Sequence, residues 1–359
     1  MSLALKHVDK IVGNDVHLKD IDLIFEAGSR NVILGRTLAG KTSLLRIMAG
    51  LDRPTRGKLV VDGQDVTGIS VRKRNVAMVY QQFVNYPSLS VYKNIASPLK
   101  IIGMPKAEID RRVHEVAAML KIEDLLDRLP QELSGGQQQR TAIARSIVKD
   151  ASLLLLDEPL VNLDYKLREE LRSELQDIFR QRRAIVVYTT TEPAEALMLG
   201  GNIVVMDEGR VLQTGSTADV YHRPAVMKVA EVFSDPPINY LHGAVSGKTA
   251  QLGPAIEIDL RDHPASLADG NYLFGIRSNH LSLQPGADDD IRFRAVTALA
   301  EINGSETFIH IDYQNTELVV QEEGIYPRKI GGEIDIYVPS RQLYIYDTAG
   351  ALVYAPSRQ

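Results

Sequence analysis

Gly35-Arg36-Thr37-Leu38-Ala39-Gly40-Lys41-Thr42 follows the apolar run Asn31-Val-Ile-Leu34 and opens the run Thr42-Ser43-Leu-Leu-Arg-Ile-Met-Ala49, which Gly50 closes. A glycine-bounded loop ending in Lys-Thr, between a strand and a helix, is the pattern of a phosphate-binding loop. Backbone N–H groups of the loop and of the helix N-terminus can cradle phosphates. Lys41 can reach the β- and γ-phosphates, and the Thr42 hydroxyl can ligate Mg²⁺. Ser43 continues the helix as a capping-turn residue.

Further along, Leu153-Leu-Leu-Leu156 ends in Asp157-Glu158. Alone this is a core strand with a polar end. Paired with the loop, Asp157 is a candidate Mg²⁺ ligand and Glu158 a candidate base. Between loop and strand lies Leu133-Ser134-Gly135-Gly136-Gln137-Gln-Gln-Arg140. Two glycines after a serine, ahead of a good helix, leave backbone N–H groups unblocked, and such a helix start can take an anion.

Short β-like segments, 3–5, 21–25 and 31–34, precede the loop, and 59–61 and 76–79 follow it. Residues 91–128 are helical in pattern, with 107–120 amphipathic. From 134 the expected order is helix to about 148, strand 152–156, helix 165–181, strand 184–188, helix 193–199 and strand 202–206. Strands alternating with helices predict an α/β fold with a largely parallel sheet. After Pro236-Pro237 the helical period fades. Alternating runs at 293–297, 307–311, 317–320, 333–337 and 343–346 predict a small antiparallel β-barrel.

On these motifs the chain resembles the ATP-binding cassette (ABC) ATPases, whose signature LSGGQ matches Leu133 to Gln137. The resemblance covers roughly residues 3–235. It places the family's glutamine loop at Gln81 and its D-loop at Val161-Asn162-Leu163-Asp164. Tyr221-His-Arg-Pro224, Ser234-Asp-Pro-Pro-Ile-Asn-Tyr240, Gly275-Ile-Arg277, His280-Leu281 and Gly304-Ser-Glu-Thr307 resemble the ATPase subunit of carbohydrate importers of the maltose and glycerol-phosphate type.

The resemblance implies a phosphate-loop NTPase cassette over 1–235, with a helical subdomain at about 84–150. An OB-like regulatory β-domain follows over 236–359. ATP and Mg²⁺ are the implied cofactors, with Thr42, Gln81 and Asp157 at the metal. A head-to-tail dimer is implied, in which Ser134, Gly135, Gly136 and Gln137 complete the partner's site. Two permease subunits and a solute-binding protein are the further partners.

Three positions depart from the family pattern. Thr191, in Tyr188-Thr-Thr-Thr191-Glu, stands where the family has histidine. A threonine hydroxyl is short and neutral, whereas an imidazole is longer and can carry charge. The adenine-stacking aromatic is expected near Ile11-Val12, yet no Phe, Tyr or Trp occurs before Phe25. Leu38 sits where the family usually carries glycine. All three lie in this chain's own site, and none touches the signature supplied in trans. They predict a heterodimer in which this site is impaired, while retained Glu158 weighs against that reading, since a fully retired site often loses its base too. A homodimer that has replaced its histidine, or a non-hydrolytic regulatory subunit, are the alternatives.

A net charge of −5 argues against a nucleic-acid partner. Zero cysteines rule out disulfides and thiolate metal sites. A non-transport cassette ATPase of translation or DNA repair would carry paired cassettes or a long coiled coil, and this chain has one cassette and no heptads. The N-terminus lacks an apolar core of signal-peptide type, and no run approaches spanning length. The expectation is a peripheral protein on the cytoplasmic side of the membrane. Sugars, polyols and glycerol phosphates are the substrate classes implied, with glycerol or a related polyol favoured because some such systems carry two distinct ATPases.

Overall fold

The computed structural model describes residues 1–357 apart from 162, 254, 255, 262 and 287–289. They form two compact units, Met1–Thr217 and Ala218–Gln359.

In the first unit β1 (Leu3–Val12), β2 (Asp15–Phe25) and β3 (Arg30–Leu34) lead into α1 (Lys41–Ala49). Next come β4 (Arg56–Val61), β5 (Gln64–Asp65), β6 (Val76–Val79), α2 (Val91–Ile101), α3 (Lys106–Met119) and α4 (Gly135–Ile147). The unit closes with β7 (Leu153–Asp157), α5 (Tyr165–Gln181), β8 (Ile185–Thr190), α6 (Pro193–Leu199), β9 (Asn202–Asp207) and β10 (Arg210–Ser216).

One sheet has the order β10-β9-β3-β8-β7-β6 and is parallel except for the β9–β10 hairpin. β7 and β8 are buried at every position, which is why 153–156 and 185–188 read as apolar runs. A second sheet, β2-β1-β4-β5, is antiparallel. Its strands run longer than their apolar segments. β1 extends to Val12 through Lys6, His7, Asp9 and Lys10, and register shifts after Leu5 and Val8 break its alternation. Leu44, Leu45, Ile47 and Met48 of α1 share one core with Leu3, Leu5 and Val8 of this sheet and Leu153, Leu155, Ile185 and Val187 of the parallel one.

The 91–128 segment is two helices with a break after Ile102, where Gly103 takes φ 73°. α3 buries Ile109, Val113, Val116 and Ala117, spaced for one face. Ser90 caps α2, and Asp164 caps α5 by accepting from Leu167 N at 2.9 Å.

The second unit holds α7 (Thr217–His222) and α8 (Met227–Val232), then β11 (Asn239–Ser246), β12 (Thr249–Leu252), β13 (Ile256–Asp259) and β14 (Gly270–Ile276). β15 (Asp290–Asn303), β16 (Glu306–Tyr313), β17 (Thr316–Glu323), β18 (Glu333–Pro339), β19 (Tyr344–Tyr346) and β20 (Leu352–Tyr354) follow. The strands form an all-β, OB-like region of two antiparallel sheets, β13-β12-β11-β14-β19-β20 and β17-β16-β15-β18, around one core that includes Phe274, Phe293, Ile309 and Ile336.

The contact division falls at 217, ahead of the expected boundary at 235. Buried Arg277 accounts for it: its guanidinium donates to Tyr221 O and Ser234 Oγ, each at 2.8 Å, and stacks 3.9 Å from the Tyr221 ring centre.

Candidate active site

The carboxyl ends of β3, β6, β7 and β8 lie along one edge of the parallel sheet, where open α/β sheets bind ligands. The loop after β3 is tied down by Gly35 N–H donating to Thr190 O at 3.3 Å. Gly40 has φ 96°, and a Cβ there would stand 2.5 Å from His17 O, so only glycine fits. No side chain caps α1 at Gly40, leaving its first N–H groups available to an anion. Ser43 does not serve as a cap: its hydroxyl lies 3.0 Å from His17 Nδ1.

Leu38 has φ 70° and is 94% exposed. A side chain in that region costs roughly 1–2 kcal/mol, and here no burial compensates for it. Arg36, Thr37 and Leu38 are all exposed, and Ala39 is buried. The loop therefore keeps the path that glycine would give it while carrying a leucine at its left-handed position.

Lys41 is only 4% exposed. Its ammonium donates to Gly35 O at 2.8 Å and Arg36 O at 3.1 Å and lies 3.0 Å from Glu158 Oε1. Glu158 Oε2 accepts from Gln81 Nε2 at 3.1 Å. Glu158 itself has φ 44°, a second left-handed non-glycine residue in the site. Asp157 is buried, and its Oδ1 accepts from Thr42 Oγ1 at 3.1 Å and Thr189 Oγ1 at 3.0 Å. Burial pushes the Asp157 carboxyl up, and the two hydroxyl bonds pull it back only in part. A buried carboxylate whose bonded partners are neutral hydroxyls suits a divalent cation, which takes hard oxygen ligands. Thr42 and Asp157 could hold Mg²⁺; Lys41, the loop and the α1 N-terminus could hold the phosphates of ATP.

Thr191 follows β8 directly and is half-buried. The residues around it are fixed. Thr190 Oγ1 donates to Glu195 Oε2 at 2.7 Å and accepts from Glu192 N at 3.0 Å, and Tyr188 OH donates to the same Glu195 oxygen at 3.0 Å. Burial raises the Glu195 carboxyl.

The signature lies at a separate element. Ser134 caps α4 by accepting from Gln137 N at 3.3 Å, while Gln137 Oε1 accepts from Ser134 N at 3.0 Å. That box leaves the exposed Gly135 N–H at the tip of the helix. A Cβ on Gly135 would meet no atom within 4 Å, whereas one on Gly136 would stand 2.1 Å from Leu167 Cδ2 of α5. Asn162 of the D-loop lies outside the described residues. Val12 is 48% exposed at the end of β1, outside the hydrogen-bonded cluster.

Lys41, Thr42, Gln81, Asp157 and Glu158 are thus brought together as their motifs imply. Thr189, Tyr188, Glu195 and His17 were not singled out by the motifs. A run of threonines at the end of an apolar strand was the available signal for the first: alternation puts Thr189 on the sheet face where it meets Asp157 and Thr190 on the opposite face, where it meets Glu195 of α6.

A phosphate loop opening a buried-lysine helix, with a metal-type carboxylate and a base at neighbouring strand ends, defines a phosphate-loop ATPase. The ABC transporter family matches residues 18–161. The trehalose/maltose import ATP-binding protein of Thermococcus litoralis is 35% identical over 369 residues, 98% of this chain and 99% of the relative. The sn-glycerol-3-phosphate import ATP-binding protein of Salmonella typhimurium is 38% identical, over 88% of this chain and 89% of its own. A dimeric ATP-binding cassette solved in a post-hydrolysis state bound to ADP and Pi superposes with a TM-score of 0.55 at 29% identity, covering 60% of this chain and 98% of that one. The chain belongs to the ATP-binding cassette transporter ATPases, enzymes that use ATP with Mg²⁺. Among the described residues no helix is long and apolar enough to cross a membrane.

Proposed function

We propose that this chain is the ATPase subunit of an importer for a sugar, polyol or glycerol-type solute, that its own nucleotide site is slowed, and that it pairs with a second, non-identical ATPase subunit. The observation that carries this is the Lys41–Glu158–Gln81 cluster assembled a strand away from Thr191. Binding groups and base are in place, and the group expected against the γ-phosphate is a short neutral hydroxyl. The import relatives named above, matched along nearly their full length, support the importer reading and the solute classes.

Lys41 and the α1 N-terminus bind the phosphates, and Thr42 and Asp157 hold the metal. Bound Mg²⁺ neutralises phosphate charge. Glu158 orients the attacking water and accepts its proton, with its carboxylate presented by Gln81. Ser134, Gly135, Gly136 and Gln137 complete the partner's site in trans, with Asp164 near the dimer seam. Two permease subunits supply the membrane path, a solute-binding protein delivers the cargo, and the ATPase docks peripherally on the cytoplasmic face. The units 1–217 and 218–359 divide the labour between hydrolysis and regulation. A homodimer with the substituted threonine is the second reading, favoured by the retained Glu158 and its bonds.

The test is ATP hydrolysis by the purified chain. Loss of a charge-stabilising contact costs ~10²–10⁴-fold. Wild type should be slow, and Thr191→His should raise turnover. Wild-type turnover as high as that of ordinary transport ATPases, with no gain from Thr191→His, would contradict the slowed site.

A further inference from the structure

Thr189, the penultimate residue of β8, is fully buried and has no part in the motifs above. Register places it beside Asp157 on β7. Its hydroxyl lies 3.0 Å from Asp157 Oδ1 and 3.0 Å from Glu158 N. A hydroxyl has one proton to give and lone pairs to receive. Leu156 O is a more distant acceptor, at 3.4 Å, so the hydroxyl donates to the carboxylate and accepts from the amide at the same time.

Both ends of that bridge matter. Glu158 sits at φ 44°, a conformation a side-chain-bearing residue keeps only when its surroundings hold it. Its carboxylate is held by Lys41 and Gln81, and its main chain by Thr189. Thr42 donates to the same Asp157 oxygen but is itself a candidate metal ligand. Thr189 is the hydroxyl of the pair free of that second duty.

We propose that Thr189 is a positioning residue of the nucleotide site, its hydroxyl locking the Asp157 carboxylate and the Glu158 main chain into one fixed relation. This rests on the nucleotide reading of the site. Valine has threonine's shape without the hydroxyl, so Thr189→Val removes the bridge and keeps the β-branched packing. Serine keeps the hydroxyl.

The experiment measures binding of a non-hydrolysable ATP analogue to the full chain by calorimetry, with and without Mg²⁺, together with kcat and KM for ATP. Thr189→Val should bind the metal-free analogue within about twofold of wild type but lose about tenfold of the strengthening that Mg²⁺ gives, the size of one buried hydrogen bond. Its kcat should fall about tenfold with little change in KM, and Thr189→Ser should restore both. If Thr189→Val does not fold, Thr189→Ala is compared with Thr189→Ser for the same outcomes. Mg²⁺ strengthening and kcat unchanged without the hydroxyl, or Thr189→Ser as impaired as Thr189→Val, overturns the proposal. A wild type that binds the analogue neither with nor without Mg²⁺ overturns the nucleotide reading itself.

Discussion

Lys41 Nζ lies 3.0 Å from Glu158 Oε1, so the cation suited to a phosphate and the carboxylate suited to a water hold each other. Each neutralises a charge that burial would otherwise make costly: Lys41 is 4% exposed and Glu158 15%.

This pairing predicts a coupled loss of stability. Lys41→Met should destabilise the nucleotide-free protein by about 1–3 kcal/mol, because Glu158 is left without its cation. Lys41→Met/Glu158→Gln should recover part of that loss, whereas ATP binding stays lost in both. Thermal denaturation of the four members of the cycle gives the coupling. Additive effects would show that the two side chains do not interact.

Leu38→Gly should improve the loop. Relieving a left-handed side chain gains roughly 1–2 kcal/mol, and glycine's added freedom in the unfolded chain costs about 0.5–1 kcal/mol. The leucine is exposed, so no packing is given up. The net is stabilisation of up to about 1.5 kcal/mol, with ATP affinity equal or higher. Calorimetry checks it; weaker ATP binding by Leu38→Gly would mean that the leucine contacts nucleotide.

The phosphate loop, the β7 carboxylates and the signature were legible because each combines a backbone requirement with a chemical one. Gly40 must take φ 96° beside His17 O, and Lys41 must follow it at the helix start. The all-β unit was legible from alternation, with the runs at 293–297 and 307–311 falling in β15 and β16. The full length of β1 was not, because Lys6, His7, Asp9 and Lys10 interrupt its apolar residues and its register shifts twice before Lys10. Thr189 was hidden for another reason: threonine is a common strand residue, and nothing local marks a hydroxyl whose two partners lie about thirty residues earlier. The place of 218–235 beside the β-strands rests on Arg277, 56 residues from Tyr221, and on the bridge between Val226 and Ala351, more remote still.

His280 makes the second unit acid-sensitive. Burial, then Arg277 and His222, push its imidazole down to about 4, and its Nδ1 is buried without a hydrogen-bond partner. The unfolded chain takes up the proton near pH 6.5. Between 6.5 and 4 the unfolded state therefore binds more protons, and stability falls as pH falls through that window. The full penalty is on the order of 3 kcal/mol, absent above pH 6.5 and complete below 4. Urea unfolding of the full chain at pH 7 and 4.5, followed through the transition of the second unit, should show a smaller acid loss for His280→Gln than for wild type. Equal losses would mean that the ring is not held neutral.

The most direct measurement of the asymmetric-site account is solute-stimulated ATPase activity in the reconstituted transporter, comparing Gly135→Asp with Glu158→Gln. Gly135 is the clean probe of the signature, because Gly136→Asp would also strike Leu167. On the asymmetric-site reading, a carboxylate at that helix N-terminus would repel the partner site's γ-phosphate, while Glu158→Gln would remove a base from a site that Thr191 slows. The account predicts that Gly135→Asp abolishes the activity and that Glu158→Gln leaves a substantial fraction. Equal damage from both would contradict it and make the two sites equivalent, as in a homodimer.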